Sequence, residues 1–207
     1  WTIRADMGIL DWLSGRGQKA GSERWVVVDV ETSGMNVASD ELIAIGAVAM
    51  IDGRVVPGDS IEIIVKQSTV SSRENILVHG VGAQAQLNGT DPAHAVSAFM
   101  DYVGRAPMLA FHAPFDRGFL ARVTKHYVNQ PFDNPWLDLA ELAPALEPKV
   151  RLRSLDEWLQ HYRIPVSVRH SAAADAFATA LLMARLLPEA RRQGSVGFNA
   201  MQQLARQ

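Results

Sequence analysis

The chain contains no cysteine among its 207 residues. Disulfides, zinc–thiolate centres and cysteine nucleophiles are therefore excluded together. A reducing compartment suits such a composition, and a cytoplasmic location is the expectation. The chain also lacks an excess of charge of either sign, with 20 Lys and Arg against 22 Asp and Glu and a pI of about 6.3. That balance argues against a protein that coats duplex nucleic acid through a global basic field. It leaves room for one that grips the end of a strand through metal ions. Long apolar runs are missing as well. The opening segment, "WTIRADMGILDWLSGRGQKAGSER", holds one short apolar patch, Ile9 to Leu13, broken by Asp11. This is neither a secretory leader nor a membrane span. Residues 1–6 read as lying upstream of a natural start at Met7. No internal repeat or low-complexity tract is present.

What is present is a 48% hydrophobic chain, enough for one α/β domain with a sizeable core. After a connector at 15–23, strands are expected at Trp25–Val30, in "ELIAIGAVAM" and in "SIEIIV", with a "DGR" turn between the last two. Short links between three successive strands describe an antiparallel meander. The texture then changes. "DPAHAVSAFMDYVG" has helical spacing and an Asp-Pro start, "PMLAF" is a short strand, "PFDRGFLARVTKHY" a helix and "NPWLDL" another short strand. "SLDEWLQHYR" and "SAAADAFATALLMARLL" are helices. The expected fold is α/β and ribonuclease-H-like, a mixed five-stranded sheet flanked by helices. The expected division is an N-terminal extension at 1–23, a main domain at 24–187 and a tail at 188–207, the tail read as a loosely attached helix or a partner-contacting end.

The first strand poses the functional question. "RWVVVDVETSG" begins as a buried strand and ends in two acids, Asp29 and Glu31. Residues i and i+2 of a strand share a face, so the two carboxylates project together where the chain turns at Gly34. An isolated D-x-E is more often a solvated strand end than a site. Asp116 begins a helix in "FHAPFDRGFL", where the macrodipole alone favours an acid, yet it stands at a second strand-to-helix rim. Asp175 lies in the apolar helix of "RHSAAADAFATALLMARLL", flanked by alanines that let its backbone approach the sheet. His170 precedes Asp175 by five residues, about 140° around a helix axis, so it belongs on the entering loop rather than the same face. Four acids on three separated elements repel one another when they converge. Hard divalent cations, Mg²⁺ or Mn²⁺, resolve that repulsion by accepting carboxylate oxygens.

In order and spacing, "VVVDVETSG", "FHAPFDRGFL" and "RHSAAADA" resemble the three motifs of the DnaQ-like DEDDh 3′–5′ exonucleases. That family includes relatives of the proofreading epsilon subunit of DNA polymerase III, ribonuclease T and oligoribonuclease. The resemblance covers residues 24 to 187. It implies that Asp29 bridges two divalent cations, that Glu31 and Asp175 complete the tighter site, that Asp116 helps hold the second, and that His170 is the general base. It also implies substrate contacts along Thr32, Gly34 and Met35 and, through "LVHGVGA", at His79. One departure stands out: the family commonly has His-Asn-Ala where this chain has Phe111-His112-Ala113, so His112 occupies the Asn position.

The chemistry implied is release of nucleoside 5′-monophosphates from a single-stranded or frayed 3′ end by two-metal hydrolysis. Met35 and Phe115, beside the acids, are candidates to stack on terminal bases, with core packing the plainer role for Phe115. Lys149, Arg151, Arg153, Arg163 and Arg169 form a cluster suited to a phosphate backbone or to a solvated face. DNA is the expected substrate. The competing readings are an RNA-trimming enzyme of the same family, a phosphoesterase of small nucleotides and a catalytically silent nucleic-acid-binding domain. The tail shows no aromatic clamp-binding peptide, so a polymerase or repair partner has no support there, and oligomeric state is not legible.

Overall fold

A computed structural model describes residues 23–166 and 170–206. The N-terminal extension and Arg169 of the basic cluster lie outside the described residues. Strands β1 (Arg24–Thr32), β2 (Leu42–Ile51) and β3 (Arg54–Ile64) form the antiparallel meander. Asp52 and Gly53, both at positive φ (52° and 77°), make the two-residue turn whose twist suits the β2–β3 hairpin. Two short strands, β4 (Met108–Ala110) and β5 (Trp136–Asp138), add in parallel, giving the order β3-β2-β1-β4-β5. This is the mixed five-stranded sheet expected from the sequence.

The described helices are α1 (Arg73–His79), α2 (Ala83–Leu87), α3 (Pro92–Val103), α4 (Ala113–Tyr127), α5 (Leu139–Leu146), α6 (Leu155–His161), α7 (Ala172–Arg192) and α8 (Phe198–Leu204). They cover both faces of the sheet. Even-numbered residues of β1 (Val26, Val28 and Val30) pack with Phe99 of α3 and Phe119 and Leu120 of α4. Odd-numbered residues Trp25 and Val27 pack with Leu182, Met183 and Leu186 of α7. Burial of both faces explains why β1 reads as a near-continuous apolar run rather than an alternating one.

Three features differ from the sequence expectation. Helices α1, α2 and α5 occupy stretches where none was expected. Helix α7 runs past Pro188 to Arg192 because its last turn is held from outside: Ala190 is fully buried, and Gln193 donates to the Leu146 carbonyl at 2.9 Å. The tail is docked rather than loosely attached. Phe198 meets Trp25 edge-on at 6.0 Å, Met201 is fully buried, and Gln202 donates to the Trp136 carbonyl at 2.7 Å. Among the described residues, no helix is long and apolar enough to cross a membrane.

Candidate active site

Along β1 the odd positions read Trp25, Val27, Asp29, Glu31. The first two lie in the core under α7; the last two come where that cover ends and are half-buried. Asp29 pairs across the ladder with Gly46 of β2. A Cβ at position 46 would overlap the carbonyl group of Ala172 and the amide nitrogen of Ala173. Helix α7 therefore begins in direct backbone contact with the sheet, which only the missing side chain of Gly46 permits. Ser171 caps the helix by accepting the Ala174 N–H at 3.3 Å. One turn on, Asp175 is delivered to the acids of β1 while only 9% exposed. Carboxylate oxygens of Asp29, Glu31 and Asp175 lie within 4.8 Å of one another.

His170 stands outside the helix, as its spacing from Asp175 requires. Its N–H donates to Asp175 Oδ1 at 3.3 Å, its φ is +62°, and the residue is exposed. A left-handed conformation is uncommon for a residue bearing a Cβ and tends to occur where function holds it.

Asp116 sits beside this triad rather than inside it. β4 stops at Ala110, which leaves the Val30 N–H without a strand partner, and Asp116 Oδ1 accepts it at 3.0 Å. Burial pushes the Asp116 carboxyl well above the usual carboxylate range. The Val30 and Asp116 N–H groups oppose that shift, while the charges of Asp138 and Glu31 add to it.

Asp138 is an acid that sequence reasoning passed over. It ends β5, caps α5 by accepting the Ala140 N–H at 2.9 Å, and accepts the His112 N–H at 3.0 Å. The signal was available in "NPWLDL": an acid closing a strand parallel to β1 must emerge at the same edge of the sheet. Asp138 thereby pins His112, an exposed residue with φ +67° at the N-cap of α4.

The remaining candidates divide. A β-bulge between Glu31 and Thr32 turns the chain out of the ladder. Thr32 Oγ1 then donates to the Gly34 carbonyl at 2.7 Å, and Met35 follows with 80% of its surface exposed. These residues line the edge next to Glu31. Phe115 turns instead to the core, its ring 5.0 Å from that of Phe119. His79 is corrected more sharply. Only 1% exposed, its ring is enclosed by Asn75, Ser71 and Val81, and it offers no face to a nucleotide. Burial lowers its pKa.

A mixed sheet with carboxylates gathered at one edge defines a ribonuclease-H-like fold. The chain matches the RNase T exonuclease family over residues 26–183, and it belongs to that family. This is where the three sequence motifs pointed. It is 32% identical over 181 residues to a DNA polymerase III subunit epsilon-like protein of Rhodobacter capsulatus, covering 86% of this chain and 25% of that protein. It is 31% identical over 183 residues to the PolC-type DNA polymerase III of Latilactobacillus sakei, covering 84% and 12%. The chain thus spans a quarter or less of the length of these relatives. Two solved structures share the fold. E. coli exonuclease I with a dT13 oligonucleotide superposes with a TM-score of 0.72 at 20% identity, over 83% of this chain and 42% of that one. Exonuclease X with 5′-overhanging duplex DNA gives 0.67 at 20% identity, over 87% and 99%.

Proposed function

We propose that the protein is a 3′–5′ exonuclease that removes nucleoside 5′-monophosphates from single-stranded or frayed DNA ends. The observation that carries this reading is the convergence of Asp29, Glu31 and Asp175 within 4.8 Å at the sheet edge. Three carboxylates so close demand positive charge between them, and an all-oxygen donor set suits Mg²⁺ or Mn²⁺. The triad fits a divalent cation, which Asp29, Glu31 and Asp175 would hold; a second would be held by Asp29 together with Asp116. When bound, such cations make a water nucleophilic at neutral pH and stabilise charge on the departing 3′-oxygen.

The chain's own side chains supply the rest. His170, whose backbone N–H donates to Asp175, serves as the base that removes the proton of the attacking water. Asp116 braces the end of β1 by accepting the Val30 N–H. Thr32, Gly34 and Met35 on one side and His112 on the other form the seat of the terminal nucleotide. Exposed Met35 supplies the apolar surface on which a base stacks. DNA is favoured because the Rhodobacter relative is named for a DNA polymerase subunit and the structural neighbours were solved with DNA.

The test is a gel assay with 5′-labelled single-stranded DNA and matching RNA, in Mn²⁺ and in EDTA. A ladder shortening from the 3′ end, abolished by EDTA, is expected with DNA; preference for RNA would reassign the substrate. Asp175→Ala should lower turnover by at least about 100-fold, the scale on which losing one preorganised charged group acts. His170→Gln should slow the single-turnover step by about 100-fold while the fold is retained. A normal rate from either folded variant would overturn the assignment.

A further inference from the structure

The buried ring of His79 leads to a part of the site that the acids do not explain. Val81 donates its N–H to His79 Nδ1 at 2.9 Å, which makes Nδ1 an acceptor and places the ring proton on Nε2. Nε2 then donates to Asn75 Oδ1 at 2.9 Å, with Ser71 Oγ at 3.2 Å on the same nitrogen. With its oxygen so engaged, the Asn75 amide can face only one way. Its Nδ2 donates to the Thr32 carbonyl at 3.0 Å. The three bonds run in one direction, from the Val81 amide through an imidazole and a side-chain amide to the backbone of β1.

Their end point is the residue just past the β-bulge, where the register shifts between Glu31 and Thr32. A bulge takes backbone groups out of the ladder, and a carbonyl removed from its partner needs another. Asn75 provides it. Beyond Thr32 the turn is closed at its neck by Ser33, whose N–H donates to the Glu41 carbonyl at 2.9 Å and whose Oγ accepts the Glu41 N–H at 2.8 Å. At its far end Asn36 donates its N–H to Asp40 Oδ2 at 2.7 Å, and Arg122 of α4 donates to the Asp40 carbonyl. Helix α4 thus grips the outer end of the loop, and Asn75 grips the end joined to Glu31. Met35 lies exposed between the two grips.

We propose that Asn75, oriented by His79, is a positioning residue: it fixes the Thr32–Met35 turn against the acidic edge and so sets how the terminal nucleotide is seated, without touching the reacting atoms. The proposal rests on the exonuclease reading and deepens it. It also gives the buried imidazole a function distinct from the substrate contact that the family resemblance implied.

The test uses two variants and two independent readouts. Asn75→Asp keeps the acceptor for His79 and loses the donor to Thr32; Asn75→Ala loses both without adding charge. Steady-state kinetics on the single-stranded oligonucleotide should show KM raised by about 5- to 10-fold in both, the scale of one hydrogen bond, with kcat within about threefold of wild type. Mn²⁺ affinity should be unchanged, which shows the folded triad intact. The second readout needs no catalysis. Because the chain has no cysteine, Met35→Cys takes a single spin label, and its mobility should rise when Asn75 is replaced. Unchanged label mobility overturns the proposal, as does a mobile turn with unchanged KM. A KM effect in Asn75→Asp alone assigns the result to the added charge and likewise overturns it. A wild type with no nuclease activity overturns the exonuclease reading instead, leaving label mobility to decide whether Asn75 orders the turn.

Discussion

The two sides of the acidic edge are built from opposite materials. On one side, β1, β2 and α7 meet through backbone and small apolar groups, with Gly46 under Ala172 and Ala173 and no side chain between them. On the other, residues 65–90 are stitched by buried amides. Gln67 Nε2 donates to the carbonyls of Leu42 and Val65, both at 2.9 Å. Fully buried Gln86 accepts the Ser71 N–H at 2.9 Å and donates to Ser71 Oγ at 2.9 Å and the Val81 carbonyl at 2.8 Å. The hydrophobic cluster beneath this lobe is small, formed by Ile43, Ala44, Val81 and Ala172. Close apolar packing resists displacement and suits charges that must stay at fixed separation. Hydrogen bonds can be exchanged for water at low net cost, which suits a wall that receives a substrate.

The most damaging way to break the first side is Gly46→Val. Its side chain meets backbone, which cannot rotate away, so the start of α7 must lift. A loss of about 3 kcal/mol in urea unfolding is expected, at the upper end of overpacking costs. Exonuclease rate should fall by about 100-fold as Asp175 leaves its partners. Wild-type stability and rate would show that the helix start tolerates the shift and that this contact does not set the geometry.

The second side should yield more locally. Gln86→Leu leaves the Ser71 N–H and the Val81 carbonyl without their partner, at a cost of about 2 kcal/mol. Amide-exchange protection should drop across residues 67–88 while β1 and β2 keep theirs. An equal loss in the central strands would mean that the lobe and the sheet unfold as one unit, and the contrast between them would fail.

The same contrast explains what the sequence revealed. The apolar side was legible because its rules are simple. Strand runs, i and i+2 acids on β1 and alanines around Asp175 allowed the acids to converge at one sheet edge, and the family resemblance grouped Asp29, Glu31 and Asp175 as one site. Gly46 could have been suspected as the single glycine in "ELIAIGAVAM", but its partner, a helix more than 120 positions away, was not visible locally. The polar side defied the pattern. Helix α1 exposes Leu77 and Val78 and buries His79, the reverse of what apolar periodicity assumes. Its fold depends on hydrogen bonds between residues up to 43 positions apart, which leave no spacing to read. Asp138 was missed for a different reason: "NPWLDL" reads as a strand, but that reading left open its direction relative to β1, which sets the edge where its closing acid emerges.

Acid should sharpen the comparison, because the two sides respond to it with opposite sign. His79 titrates near pH 6.5 in an open chain, and burial lowers that value in the folded lobe. Above about pH 6.5 the ring is neutral in both states and its contribution to the lobe is fully present. As pH falls below that value the open state takes the proton first, and stability drains until the folded pKa is passed. A proton on Nδ1 also abolishes the acceptor for the Val81 N–H, so the Asn75 relay should loosen together with the lobe. Asp116 behaves in the reverse sense. Its folded pKa is raised, so its contribution is greatest below the unfolded value near 3.8 and is lost as pH rises through the folded one. In EDTA, between about pH 7.5 and 5.5, exchange protection of the Val81 amide, corrected for its intrinsic rate, should therefore fall, while that of the Val30 amide should hold or rise. If both amides follow the same pH trend, the two walls share one opening reaction and the distinction drawn from their packing does not survive.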